Sequence, residues 1–224
     1  MVRRWAGLDR NSGERRRFGF RRHYAIAPWR DCSGVCRMEL HWGNRCQMYV
    51  TPVSAQEVCV VLMSRDQHLR IDDALPQFPD LAARLAGVTP SSEERGAIAS
   101  SCRYRTVTRG NVALIGDASG RVDAITGDGM CLAFCQANAL SAALVAGNLL
   151  SYEREHRRLE RLPAFMGAFM LMMERPWPLQ HRALRAFASR PALFQQLLAM
   201  HVRELTWRDF AGVTLSLGWR MACA

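Results

Sequence analysis

A chain of 224 residues with 49% hydrophobic content can bury a sizeable core in one large domain or two small ones, which excludes a disordered protein. Its formal charge of +10 rests on 30 basic residues, all of them arginine, so a phosphate-binding Walker lysine and a Schiff-base lysine are both excluded. No apolar run reaches the roughly eighteen residues of a transmembrane helix, and the arginine-rich N-terminus lacks the apolar stretch of a secretory signal, so a cytoplasmic protein is expected.

From Phe18 to Ser64, short runs rich in β-branched and aromatic residues predict strands over 22–26, 35–42, 47–50 and 57–63. Residues 42–45 and 52–56 read as their connections, which makes an antiparallel meander of at least three strands. Residues 69–86 have helical spacing at Leu75, Phe78, Leu81 and Leu85, interrupted by Pro76 and Pro79, and predict a kinked or two-piece helix. Residues 90–101 read as a polar connection and 103–107 as a strand. The apolar run Val112-Ala-Leu-Ile115 predicts a buried strand that ends in a tight turn at Gly116-Asp117. Thr126-Gly-Asp-Gly129 then opens a long helix from about Gly127 to Leu150. Further helices are expected over roughly 151–175, 178–189 and 191–204, punctuated by Pro163, Pro176, Pro178 and Pro191.

Residues 111–144 carry the clearest chemistry. A strand-end carboxylate, Asp117, is expected beside a glycine-rich helix start, whose free N–H groups favour anions. That arrangement suits a ligand with both hydroxyls and negative charge. The line Gly116-Asp117-Ala118-Ser119-Gly120-Arg121-Val122-Asp123-Ala124-Ile125-Thr126-Gly127-Asp128-Gly129-Met130 resembles the second flavin-contacting motif of FAD-dependent oxidoreductases of the p-hydroxybenzoate hydroxylase fold. The branch closest in pattern is the geranylgeranyl reductase-like one, G-D-A-A-G-x-v-x-P-x-T-G-E-G-I. The resemblance implies that Asp117 hydrogen-bonds the ribityl chain of FAD. It also implies that Gly127, Gly129 and Met130 bring backbone N–H groups against the pyrophosphate and the flavin edge. Gly116, Thr126 and Asp128 complete the implied cofactor-binding set. Ala124 departs from the branch, which has proline there, and Asp128 stands in place of its glutamate.

Residues 2–8, Val-Arg-Arg-Trp-Ala-Gly-Leu, resemble the tail of another motif of the same family, S-x-V-R-x-x-x-G-L. No G-x-G-x-x-G occurs in the chain, so the resemblance implies the C-terminal part of an α/β flavoprotein, α+β over this length. The implied organisation runs from a segment of the FAD-binding domain (1–17) to an antiparallel substrate-domain sheet with a helix (18–102). The flavin segment (103–150) and a helical C-terminus (151–224) follow. FAD would carry the redox chemistry, with NAD(P)H as electron donor and a small hydrophobic substrate. Reduction of a lipid-like C=C bond and hydroxylation both stay open. The W-x-W-x-I-P segment of the family's halogenases is absent, so halogenation is not expected.

No catalytic side chain can be assigned from spacing. There is no G-x-S-x-G elbow, and the six histidines are scattered. His41 reads as structural in preference to substrate-facing. Asp123 and Asp128 read as loop or helix-start carboxylates before general acids. The eight cysteines include no C-x-x-C pair, so no metal is expected. Arginines cluster at 15–17, 21–22 and 154–161. A solvated face is favoured over nucleic-acid binding, which is kept as an alternative together with a non-catalytic remnant. The methionine-rich run 165–173 reads as packing before a partner surface. The apolar tail 210–224 leaves peripheral membrane contact open, and the oligomeric state is not legible.

Overall fold

The computed structural model describes residues 2–8, 13–26, 29, 37–174, 178–204 and 212. The chain divides into two compact units, Asn11–Cys102 and a second made of Met1–Arg10 with Arg103–Ala224. Its first element, helix α1 (Val2–Trp5), belongs to the second unit.

The unit Asn11–Cys102 is a five-stranded antiparallel sheet in the order β2-β3-β4-β1-β5. Its strands are β1 (Arg15–Ala25), β2 (Glu39–Trp42), β3 (Cys46–Ser54), β4 (Glu57–Ser64) and β5 (Arg95–Ser101). Thus β2, β3 and β4 form the expected meander, and β1 is inserted between β4 and β5. Alternation decides which face is buried. Val58, Val60 and Leu62 of β4 are fully buried and meet Met48 and Val50 of β3. The core closes with Ile71 of α2 (Ile71–Ala74) and Leu81 of α3 (Pro79–Leu85). Burying each such side chain contributes about 1.5–3 kcal/mol. A 3₁₀ turn at Leu75–Gln77 separates the two helices, because Pro76 and Pro79 lack the N–H that would continue one helix. The broken helix expected over 69–86 is therefore present in three pieces.

Two expectations in this unit are corrected. Residues 95–101 form β5, not a polar connection. Its Gly-Ala-Ile-Ala-Ser-Ser run carries too little apolar alternation to be read as a strand, and pairing with β1 supplies the order. The expected connection 52–56 is mostly strand, for β3 runs through Pro52 to Ser54 with a register shift there. The ladder tolerates Pro52 because β2 ends opposite Val50, and among the described residues no strand pairs with Pro52 on that side. β2 is also shorter than expected, and residues 35 and 36 of the predicted strand 35–42 lie outside the described residues. His41 pairs with Glu39 at 3.0 Å and meets Phe78 edge-on, a structural role. Despite partial burial, hydrogen bonds from Arg84, His41 and Trp29 hold the Glu39 carboxyl below the usual carboxylate range. The N-terminal arginines do not form one charged face: Arg17 is buried, and Arg22 is taken by Asp72 and Glu94.

In the second unit, residues 103–107 are not a strand. Side chains of α5 (Leu149–Met172) satisfy their backbone instead: Glu153 accepts the Val107 and Thr108 N–H groups, and Arg157 donates to the Arg105 carbonyl. The expected buried strand 112–115 shrinks to β7 (Val112–Ala113), hairpinned with β6 (Thr108–Arg109). Leu114 is buried while Val112 and Ile115 stay exposed. Tyr152 of α5, fully buried, donates its hydroxyl to the Leu114 carbonyl at 2.7 Å and fixes this hairpin end.

The long helix expected to about Leu150 is α4 (Gly129–Val145), and α5 begins earlier than expected. The break is encoded at Gly147-Asn148. Gly147 takes φ +65, Asn148 N–H reaches the Ala143 carbonyl and Gly147 N–H the Leu144 carbonyl, the paired bonds of a Schellman ending. Asn148 then caps α5 by accepting the Leu150 and Ser151 N–H groups. Asn148→Ala is expected to lower stability by about 1 kcal/mol, measured by chemical denaturation. An unchanged midpoint would show the cap to be idle. Beyond α5 come α6 (Pro178–Ser189) and α7 (Pro191–His201). The methionine-rich run packs inward: Met166, Leu197 and Met200 form a cluster with Phe165, Phe169 and Phe187 around it. The apolar tail falls outside the described residues, Gly212 excepted. Among the described residues no helix is long and apolar enough to cross a membrane.

Candidate functional site

The turn Gly116–Ala118 is one wall of the candidate site. Gly116 sits at φ +57, a left-handed conformation that suits a residue without Cβ. Its N–H donates to Gln136 Oε1 at 2.7 Å, and its carbonyl accepts both the Ser119 N–H (2.9 Å) and the Ser119 hydroxyl (2.8 Å). The same hydroxyl lies 3.2 Å from Gln136 Oε1. Gln136 and Ser119 are fully buried. Held this way, the turn leaves the Asp117 side chain exposed.

The other wall is the start of α4. Asp123 is largely buried; its carboxylate accepts the Ile125 N–H, and its carbonyl takes both the N–H and the hydroxyl of Thr126. This makes Asp123 a structural cap for the 3₁₀ turn Ala124–Thr126, in keeping with its reading as a loop carboxylate. Gly127 closes that turn at φ +69. Thr126 Oγ1 accepts the Asp128 N–H, and Asp128 occupies the N-cap of α4. Partial burial pushes the Asp128 carboxyl above its usual range, opposed by His201 at 3.7 Å, by Thr126 and by Arg203.

The first-turn N–H groups of a helix have no intrahelical acceptor. At Gly129 and Met130 the described residues supply none, and both residues are exposed. A Cβ added at Gly127 or Gly129 would meet nothing within 4 Å, so the backbone there faces open space. Gln136 lies two turns further along α4, and a Cβ at Gly116 would come within 3.6 Å of Ala133 Cβ. The turn and the helix start are therefore one packed piece.

All seven residues expected from the sequence, Gly116, Asp117, Thr126, Gly127, Asp128, Gly129 and Met130, lie on these two walls. Thr126 is buried beneath them, and its hydroxyl faces the Asp123 carbonyl and the Asp128 N–H. Sequence reasoning missed Gln136, a polar side chain that joins the walls. The available signal was a glutamine seven residues after Gly129 in a mostly apolar helix. It also missed Arg3, which is buried and donates to the carbonyls of Ala118, Leu8 and Thr106 while stacking on Tyr104 at 3.5 Å. Arg109 adds a 2.6 Å bond to the Gly7 carbonyl. Thus the segment 2–8, recognised only as a motif tail, is anchored to the Asp117 turn by one arginine. No group of three or more metal-ligating side chains occurs among the described residues.

An open anion-favouring helix start beside an exposed carboxylate suits a ligand with both hydroxyls and negative charge. No family model matches the sequence, and no curated protein matches it. Solved structures do match. One is a flavoprotein/dehydrogenase from Cytophaga hutchinsonii (16% identity, TM-score 0.64), covering 89% of this chain and 52% of that one. Another is the Diels-Alderase PyrE3 of pyrroindomycin biosynthesis (21% identity, TM-score 0.61), covering 91% of this chain and 46% of that one. A third is PqsL, a probable FAD-dependent monooxygenase from Pseudomonas aeruginosa (20% identity, TM-score 0.55), with coverage of 77% and 52%. Flavin-dependent halogenases also match, CmlS at 15% identity and TM-score 0.55. The chain spans between about a third and just over half of these structures' length. It has the mixed α+β fold of part of FAD-dependent monooxygenases and halogenases, with an antiparallel sheet and a helical C-terminus.

Proposed function

We propose that this chain supplies the flavin and ribityl side of an FAD site in an oxidoreductase. The observation that carries the reading is the joined pair of walls, an exposed Asp117 on a turn fastened by Gln136 to a helix start with open N–H groups. Asp117 would accept hydrogen bonds from ribityl hydroxyls. Gly127, Gly129 and Met130 would present backbone to the pyrophosphate and to the flavin's acidic edge, and Gly116, Thr126 and Asp128 would keep that backbone in place. Bound FAD would supply two-electron redox chemistry. The chain's contribution is to hold the ring, lend the positive end of α4 to negative charge and keep water from its edge.

The substrate in this reading is a small hydrophobic molecule, and NAD(P)H is the electron donor. Both rest on the motif resemblance, which leaves C=C reduction of the geranylgeranyl reductase-like kind and hydroxylation both open. Halogenase neighbours share the fold, but the missing W-x-W-x-I-P segment argues against that chemistry here.

Titration of the purified protein with FAD, read by flavin fluorescence and the visible spectrum, tests the proposal. Saturable binding is expected. It should be weak, because the chain has no G-x-G-x-x-G to hold the adenylate half. Asp117→Ala is expected to weaken binding about tenfold, the loss of one charge-assisted hydrogen bond. A chain that never perturbs the flavin spectrum, or an Asp117→Ala variant that binds as tightly as the parent, would overturn the assignment.

A further inference from the structure

A second chemical group sits on α4 and has no part in the flavin reading. Cys131 and Cys135 are four residues apart on the helix, and so share one face. Cys131 is exposed, and Cys135 is half-buried. Arg203, just past the end of α7, donates from its guanidinium to Cys135 Sγ at 3.4 Å. It does so from φ +65, a left-handed conformation uncommon for a residue with a side chain. One thiol thus has a guanidinium donor against its sulfur and a second thiol beside it.

We propose that Cys131 and Cys135 are a peroxide-responsive dithiol, with Cys135 as the attacking sulfur and Cys131 as the resolving one. The Cys135 thiolate attacks hydrogen peroxide. The O–O bond breaks, hydroxide leaves and Cys135 becomes a sulfenic acid. The Cys131 thiol then displaces that hydroxyl, an S–S bond forms and water carries away the proton. Two electrons pass from the thiol pair to the peroxide, whose two oxygens end as hydroxide and water.

The division of roles follows from the surroundings. Arg203 donates from its guanidinium to the Cys135 sulfur, which makes Cys135 the sulfur with a cationic donor against it. Burial, the neighbouring Cys135 and Asp128 push the Cys131 thiol up, against the pull of Arg203. Cys131 is therefore the protonated partner, one helical turn from the sulfur it would join. Residues four apart on a helix have Cβ atoms about 5–6 Å apart, whereas a disulfide needs about 3.5–4.5 Å. Closing the bond must draw in the helical turn between Cys131 and Cys135.

The test needs no flavin. Cleavage after arginine releases residues 122–154 as one peptide that holds Cys131 and Cys135 and no other cysteine. After brief exposure of the folded protein to hydrogen peroxide, then thiol alkylation, this peptide is expected to lose two hydrogens and take no alkyl group. Dithiothreitol should reverse the change. In Cys131→Ser the peptide should carry a sulfenic acid at Cys135, trapped by a cyclic 1,3-diketone. In Cys135→Ser, Cys131 should alkylate as in untreated protein. Arg203→Gln should slow oxidation roughly tenfold while leaving the circular dichroism spectrum unchanged. Full alkylation of both cysteines at peroxide levels that oxidise a free thiol would overturn the proposal. So would oxidation that starts at Cys131 or proceeds at the same rate without Arg203.

Discussion

Gln136→Met is expected to destabilise the protein by about 2–3 kcal/mol and to loosen the Asp117 turn. Methionine matches the length of glutamine but offers no acceptor of comparable strength. Two donors would lose their partner: the Gly116 N–H, bonded at 2.7 Å, and part of the Ser119 hydroxyl bond at 3.2 Å. Each stranded donor costs about 1–3 kcal/mol when water cannot reach it. Ser119 is fully buried and keeps its stronger bond to the Gly116 carbonyl, so most of the loss falls on Gly116. One term works the other way. Gln136 Nε2 is buried with no hydrogen-bond partner among the described residues, and its removal relieves a desolvation cost. The orientation is nonetheless required, because the Gly116 N–H can only donate, and a flipped amide would set two donors against each other. Ser119→Ala should cost less, about 1 kcal/mol. Chemical denaturation gives the energies, and amide exchange at Gly116 gives the local effect. If Gln136→Met matches the parent in both, the glutamine does not hold the turn.

Much of this architecture is legible in the sequence, and the exceptions have physical causes. The β4 strand is written as alternation, with Val58, Val60 and Leu62 on one face, and the structure buries those three residues. The helix break at Gly147-Asn148 is written as well, since glycine permits the left-handed ending and asparagine caps the next helix. The sequence reading places it too late, at about Leu150, because the apolar run continues through Leu149 and Leu150 and masks the stop. β5 is hidden for the opposite reason. Its small residues give no period, and only pairing with β1 makes it a strand. Residues 103–107 look like a strand by composition, but carboxylate and guanidinium groups from α5 take the place of a neighbouring strand. Local propensity does not contain that information.

The candidate site shows the same division. Gly116-Asp117 and Thr126–Gly129 announce themselves because their backbone must turn, and turning restricts residue type. Gln136 and Arg3 act across long sequence separations through carbonyl and N–H groups that every residue possesses. Their partners carry no signature. A buried polar side chain inside an apolar helix is the one clue such a residue leaves.

The largest pH effect is expected at His156 of α5. It is 1% exposed and sits 3.9 Å from Glu160, with the Tyr152 ring edge-on at 5.8 Å. Burial holds its imidazolium form down so far that it titrates at about 4, with Arg157 and Arg3 adding to the shift and Glu153 opposing it. In the unfolded chain the same ring titrates near its usual value of about 6.5. The unfolded state therefore binds more protons between these values, and stability must rise with pH across that window. The contribution is fully present above about pH 6.5 and is lost as pH falls toward 4, a total of about 3 kcal/mol. Glu160 works in the opposite sense. It is also buried, and burial raises its carboxyl against the pull of Arg103, so its contribution declines as pH climbs above the ordinary glutamate range. The two slopes overlap, so the parent curve alone does not separate them. His156→Gln does, because glutamine cannot titrate and leaves Glu160 as the only one of the two that can. Denaturation series from pH 7 to pH 4 should show the parent losing about 3 kcal/mol more than the variant across the histidine window. Parallel curves for the two proteins would mean that His156 is already protonated in the fold, paired with Glu160 as an ion pair, and that the neutral assignment is wrong.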